Sequence, residues 1–280
     1  MAVHVFDAAM ALQPQGADRF AGHCGRSYWN AVGPFGGISA ATMLNAVLQH
    51  PALLGEPVSL TVNFASGLAE GPFTISARAA RTNRSTQHWM VELQQTGAQG
   101  GAPETVLTAT VLTAVRRSTW SGSDVPMPEV PGPATLPPGE RMIPLEWLRH
   151  YEVLPVVGGI PKDWDGAEND GGPDQASLSR FWMRDHPERP LDFCSLAALA
   201  DVFYPRVFLR RAFRVPAGTV SMTVYFHAGA AMLRDCGSDY VLGQARGQFY
   251  HAGFFDQTAH LWSRSGVPLA SSTQVVYYKE

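Results

Sequence analysis

Cysteine is scarce. The 280-residue chain has three, Cys24, Cys194 and Cys236, far apart and never in CxxC spacing. That excludes a disulfide framework and a thiolate zinc site, and it fits a reducing compartment. Charged residues make up only 16% of the chain, the net charge is −3, and no Lys/Arg stripe occurs. Nucleic acid is therefore not an expected partner. No apolar run approaches the roughly 18 residues of a membrane helix. The first basic residue is Arg19, which makes the N-terminus a poor signal peptide. A soluble, cytoplasmic protein without membrane attachment is the expectation. Gly-x-Ser-x-Gly, HExxH, a P-loop and a GxGxxG opening a helix are missing as well. Neither a metal nor a cofactor is called for.

What the chain does have is apolar content, 45% of its residues. That is enough for a large core in one domain or two small ones. The segment Phe193–Tyr204, FCSLAALADVFY, reads as a helix capped by Asp192 and stopped by Pro205. Leu196, Leu199, Ala200 and Phe203 form one apolar face, and the remaining positions are no more polar. A helix apolar all round is buried all round. Its one carboxylate, Asp201, then either faces solvent at a frayed end or needs buried partners, because an unpaired buried charge costs several kcal/mol.

Around it the chain alternates helix and strand signals. Val3–Leu12 reads as a short strand and turn. Ile38–His50 is a helix opened by Gly36 and Gly37, where free N–H groups point outward, and stopped by Pro51. Val58–Phe64 alternates cleanly as a strand; Phe73–Arg81 and Thr86–Gln95 form a hairpin with Arg84 at its tip; Val106–Val115 is a further strand. Seven of the 21 prolines fall between Pro126 and Pro144 and mark a linker or extended crossover. An acidic, Gly-rich stretch, Asp163–Gln175, reads as a solvated loop. Thr219–His227 and Leu269–Tyr278 are strand-like.

The halves repeat. Val58–Phe64 matches Val220–Phe226 at an offset of 162 residues, and the same offset lays Leu107–Leu112 on Leu269–Gln274. Where the repeat fails, it informs: Thr219 falls on Pro57, Gln274 falls on Leu112, and the first helix has no carboxylate. The expected organisation is residues 1–118, a linker at 119–145, and residues 146–280 carrying the chemistry.

The Gly-Gly helix start, PVSLTVNF, GPFTISARAARTNRS, the Pro-rich crossover, LAALADVFYP, TVSMTVYFH and LASSTQ together resemble the double-hotdog acyl-CoA thioesterases, acyl-CoA thioesterase II and its relatives. The likeness runs from about Phe6 to Tyr278. It implies an α+β double hotdog, two antiparallel sheets each wrapped around a long central helix, with acyl-CoA at the junction and a homo-oligomer as the assembly. It also implies a catalytic set that holds and activates water: Asp201 on the helix, Thr219 opening a strand, and Gln274 in the closing strand. Close relatives often carry Asp-His where this chain has Ser221 and Met222.

In such a site a buried Asp201 is the base, and Gln274 and Thr219 orient water without carrying charge. Gly36 and Gly37 are candidate oxyanion donors, and Arg84 is a candidate contact for CoA phosphates. Each has a plainer reading as a strand residue, a tight turn or a solvated arginine. By alternation His227 shares a face with Thr219, Ser221 and Thr223, and reads as a structural histidine. Tyr28, Trp29 and Phe35 either line an acyl pocket or pack. A hotdog hydratase would resemble its relatives in a His five residues after the Asp; here that residue is Arg206. The remaining alternatives are a non-catalytic acyl-CoA or lipid-binding protein and a thioesterase for carrier-protein substrates.

Overall fold

A computed structural model describes residues 3–97, 100–137, 145–170 and 176–280. Residues 138–144 of the Pro-rich segment and 171–175 of the acidic stretch lie outside the described residues. The strands are β1 Leu12–Pro14, β2 Arg19–Cys24, β3 Glu56–Phe64, β4 Gly71–Thr82, β5 Thr86–Gln95, β6 Glu104–Ala114, β7 Tyr151–Val157, β8 Ser179–Asp185, β9 Ala217–Phe226, β10 Val241–Arg246, β11 Tyr250–His251, β12 Phe254–Ser263 and β13 Pro268–Tyr278. The helices are α1 Val5–Ala9, α2 Gly36–Leu48, α3 Phe193–Leu199, α4 Arg206–Arg210 and α5 Ala230–Cys236. Among the described residues no helix is long and apolar enough to cross a membrane. Val3–Leu12 forms α1 ahead of a short strand instead of strand and turn: His4 caps the helix by accepting from the Phe6 N–H.

All strand pairs are antiparallel, and twelve strands follow one path, β1-β2-β4-β5-β6-β3-β9-β13-β12-β10-β8-β7, with β11 added on β12. The expected pair of sheets is thus one continuous sheet. The join is β3 on β9, where Thr61 pairs with Thr223, its own equivalent in the repeat, and their hydroxyls meet at 2.9 Å. A pseudo-twofold axis passes through that pair. Arg116 reinforces the join by donating to the Pro57, Phe226 and His227 carbonyls.

The sheet packs one apolar face over α2 and α3, which lie against each other, and their residues share a single core. Burying that continuous apolar surface at about 25 cal/mol per Å² is the main force holding the two halves together. The Pro-rich segment crosses the outer face of β8, β10 and β12, where Met127, Val130 and Leu136 pack on Trp182, Leu242 and Trp262; the Pro131 carbonyl accepts from Trp182 Nε1 at 2.9 Å. It is a structural strap as much as a connection.

Two further departures from expectation have physical causes. The helix expected through Tyr204 ends at Leu199, because the chain tightens into i→i−3 bonds, Asp201 N–H to Ala198 O and Val202 N–H to Leu199 O, before Pro205. Asp201 therefore sits in the turn after α3. Second, β6 and β13 correspond one residue out of step with the sequence match. Val106 O accepts from Ala65 and Ser66 as Leu269 O does from His227 and Ala228, so Val106 equates with Leu269. The inward residue matching Gln274 is Val111, not Leu112, and a one-residue slip exchanges the two faces of a strand.

Candidate active site

Gln274 lies on the inner face of β13 and is 4% exposed. A side chain so placed must satisfy its amide locally. Its Nε2 donates to Asp201 Oδ1 at 2.8 Å and contacts Met222 Sδ at 3.4 Å; its Oε1 accepts from Thr219 Oγ1 at 3.2 Å. Asp201, Gln274 and Thr219 thus form one hydrogen-bonded chain, assembled from the turn after α3 and from two neighbouring strands.

Thr219 reaches this chain because of a bulge. Between the Gln274–Met222 and Val276–Thr219 pairs β9 contains an extra residue, and the register shifts at Val275/Val276. Without it, Thr219 would share the outer face with Ser221, as plain alternation predicts. The bulge turns Thr219 inward toward Gln274, the re-aiming role bulges commonly have next to active sites. β3 has the same irregularity between Pro57 and Ser59, so the device belongs to both halves. His227 is not on this face with Thr219; its Nε2 bonds Ser271 Oγ at 3.0 Å, in keeping with a structural role.

The start of α2 closes the other side. A Cβ on Gly36 would stand 2.7 Å from Asp201 Oδ2, and one on Gly37 would stand 2.7 Å from the Ala198 carbonyl and 2.4 Å from the Phe35 ring. Only glycine lets the two helix ends approach so closely. The Gly37 N–H donates to the Asp201 carboxylate, at the positive end of the α2 dipole. Burial pushes the Asp201 carboxyl up to about 7, against the opposing pull of the Gln274 amide and the Gly37 N–H. The carboxylate is thus poised to exchange a proton near neutral pH.

The structure brings Asp201, Gln274, Thr219, Gly36 and Gly37 together. It does not bring Arg84 to them: Arg84 stands exposed in the turn between β4 and β5, and β5 lies four strands from β13 in the sheet order. Of the aromatics, Phe35 stacks flat on Trp147 at 4.2 Å, and Tyr28 is buried edge-on to Phe6 at 6.0 Å. Met222 and Phe64, whose ring lies within 3.6 Å of a Cβ placed on Gly36, belong to the site without having been expected there. Their only sequence signal was an apolar residue on an alternating strand.

The chain matches two family models, the acyl-CoA thioesterase C-terminal domain over residues 124–278 and the acyl-CoA thioesterase N-terminal domain over residues 26–114. A solved structure of a conserved protein of unknown function with hot dog fold from Alicyclobacillus acidocaldarius is 42% identical, covering 100% of this chain and 99% of that one, with a TM-score of 0.91. An acyl-CoA thioesterase II from Mycobacterium marinum is 18% identical over 98% of each chain, with a TM-score of 0.73. A tesB protein from Mycobacterium avium subsp. paratuberculosis is 17% identical over 98% of each, with a TM-score of 0.75. No curated protein matches the sequence.

Proposed function

Because the chain belongs to the acyl-CoA thioesterase family, we propose that it hydrolyses a fatty acyl-CoA thioester to the free acid and CoA, using Asp201, Gln274 and Thr219 to hold and activate water. The hydrogen-bonded chain from Thr219 through Gln274 to Asp201 carries this reading. Water lies against the Asp201 carboxylate, which takes one of its protons as the oxygen attacks the thioester carbon. The C–S bond breaks, and the proton passes from Asp201 to the departing thiolate. A base with a pKa about 7 suits the task, since a general base works best near the operating pH. Gln274 keeps the carboxylate in place, and Thr219 fixes the amide so that its N–H side faces Asp201.

Negative charge growing on the carbonyl oxygen is stabilised by the positive N-terminal end of α2 at Gly36, while the Gly37 N–H stays on the Asp201 carboxylate. No covalent acyl-enzyme is needed. The reading requires the two glycines but not Arg84. A non-catalytic lipid binder would leave Asp201 paired with a cation or with solvent, whereas here it is held by an amide and a backbone N–H.

The test is free-thiol release from acyl-CoAs of graded chain length. Release by the native protein and its near loss in Asp201→Asn is expected. Absence of release from every ester, or full activity in the variant, would sink the proposal.

A further inference from the structure

The turn that carries Asp201 is held by a buried charge that the hydrolytic chemistry does not use. Arg206 opens α4 directly after Pro205 and is 0% exposed; among the described residues no other arginine or lysine is buried. Burial draws its pKa down to about 10, so it stays charged at neutral pH. The groups whose charge acts on it are the phenols of Tyr250 and Tyr204, not a carboxylate. A cation buried without a counter-charge is costly, and an apolar side chain of similar volume commonly serves a fold as well or better.

What an apolar side chain could not do is bridge. A helix that stops early leaves carbonyls without helical donors, and two of these flank Asp201. Ala200 O accepts from Ser272 Oγ at 3.3 Å. Tyr204 O accepts from Arg206 Nε at 2.8 Å and from its Nη2 at 2.5 Å. The far side of the same guanidinium donates through Nη1 to Ser177 O at 3.0 Å, Ser179 Oγ at 2.8 Å and Ala245 O at 3.2 Å. Arg206 thus ties the chain just past Asp201 to the start of β8 and the end of β10. Between Asp201 and Tyr204, Phe203 packs directly on β10, where a Cβ on Gly243 would stand 2.8 Å from its ring.

The first half offers the contrast. There α2 runs unbroken for 13 residues from Gly36 to Leu48 and carries no carboxylate, and among the described residues that half buries no arginine or lysine. In the second half α3 stops after seven residues, and the buried guanidinium follows the turn that replaces it. Asp201 needs that turn held firmly. Its Oδ1 meets Gln274 Nε2 at 2.8 Å, while the Gly37 N–H donates to the same carboxylate from a separate helix. Resting on the thioesterase reading, we propose that Arg206 is a positioning residue: by anchoring the Tyr204 carbonyl to β8 and β10 it fixes the turn, so that the Asp201 carboxylate stays on Gln274 and the α2 terminus.

The test is Arg206→Lys, which keeps the charge but replaces the planar fork with one ammonium that cannot reach Tyr204 O and the β8 and β10 acceptors together. Hydrolysis of the best acyl-CoA should lose about tenfold or more in kcat, because a small misplacement of a reacting group suffices for that, with KM held within about twofold. The midpoint of the pH–kcat profile should move toward the ordinary carboxylate range as water reaches Asp201. A variant that is merely less stable, with native kcat, KM and pH profile in its folded fraction, overturns the proposal and leaves the thioesterase reading standing. Ser179→Ala, which removes one anchor and leaves no charge unpaired, serves if Arg206→Lys does not fold. A fall of about threefold in kcat with the same displacement of the profile upholds the proposal, and native values overturn it. NMR titration of isotope-labelled aspartate, with the Asp201 signal identified by its loss in Asp201→Asn, reads the same property without turnover. If no ester is cleaved, the thioesterase reading falls by itself; a midpoint displaced in the variants still upholds the positioning of Asp201, and an unmoved midpoint overturns it.

Discussion

Val111 and Gln274 occupy the same register position in the two halves of the molecule, both inward and both buried, yet one is a methyl pair and the other an amide. Pro57 and Thr219 form a second such couple, each just before a bulge. Around Val111 and Pro57 the interior is mostly apolar, with Thr113, which accepts from Trp89 Nε1, and Gln87 as its buried polar groups. Around Gln274 and Thr219 it is a hydrogen-bonded chain ending on a carboxylate. The scaffold that aims a side chain inward is duplicated, whereas the chemistry hung on it is not. Bulge and register were therefore structural properties available to both halves, and the polar residues are what distinguishes them.

Five substitutions sharpen or break that comparison. Asp201→Asn should have the largest effect, a loss of thiol release of about 10²- to 10⁴-fold, as for removal of a general base. In the native protein kcat/KM should rise with pH around an apparent pKa near 7. The same group sets a stability trend. Its folded pKa is raised, so the folded protein binds this proton more tightly than the unfolded chain between about pH 4 and 7. Stability contributed by the protonated form is lost as pH rises through that window, and Asp201→Asn should flatten this part of a pH series of melting temperatures.

Gln274→Val makes the second half like the first at this register. A loss of about 10- to 100-fold in kcat is expected, together with about 1–3 kcal/mol of stability, since Asp201 and Thr219 both lose their buried partner. Gly36→Ala places a methyl 2.7 Å from Asp201 Oδ2 and should cost about tenfold in kcat by displacing the carboxylate. Thr219→Val removes a single hydroxyl that acts through Gln274, so a decrease of only about threefold to tenfold in steady-state rate is expected. Val111→Ala should destabilise the fold by about 2 kcal/mol in denaturant melts while leaving kcat unchanged. A fall in kcat after Val111→Ala as large as that after Gln274→Val would remove the asymmetry on which the comparison stands.

Much of this was legible before the structure. Asp201 stood out as a charge inside an apolar stretch, and the repeat marked Thr219 and Gln274 as residues without polar equivalents. What resisted reading is non-local. Alternation along β9 assigns Thr219 to the face of Ser221, and only pairing with β13 reveals the bulge that reverses it. The equivalence of Gln274 with Val111, instead of Leu112, depends on which carbonyl closes the strand against its neighbour. The length of α3 was overestimated because apolar content continues past Leu199, while the backbone tightens ahead of Pro205. Arg206 was legible only as the absence of a hydratase histidine, and nothing near it in the chain names its acceptors on β8 and β10.

The β3–β9 seam carries one more implication. Its register sets Thr61 opposite Thr223, so each strand meets the position it would meet in a copy of itself. Such a seam selects for the strand type and not for the unlike half. Fidelity of the pairing then rests on contacts that only the unlike half offers, such as the Arg116 bonds to the Phe226 and His227 carbonyls, and on the covalent tether, which keeps the two halves at high effective concentration for each other. In this chain the Pro-rich strap over Trp182 supports that tether by anchoring its course to the second half. Cutting the strap would remove the tether's share of that advantage without altering a single contact at the seam.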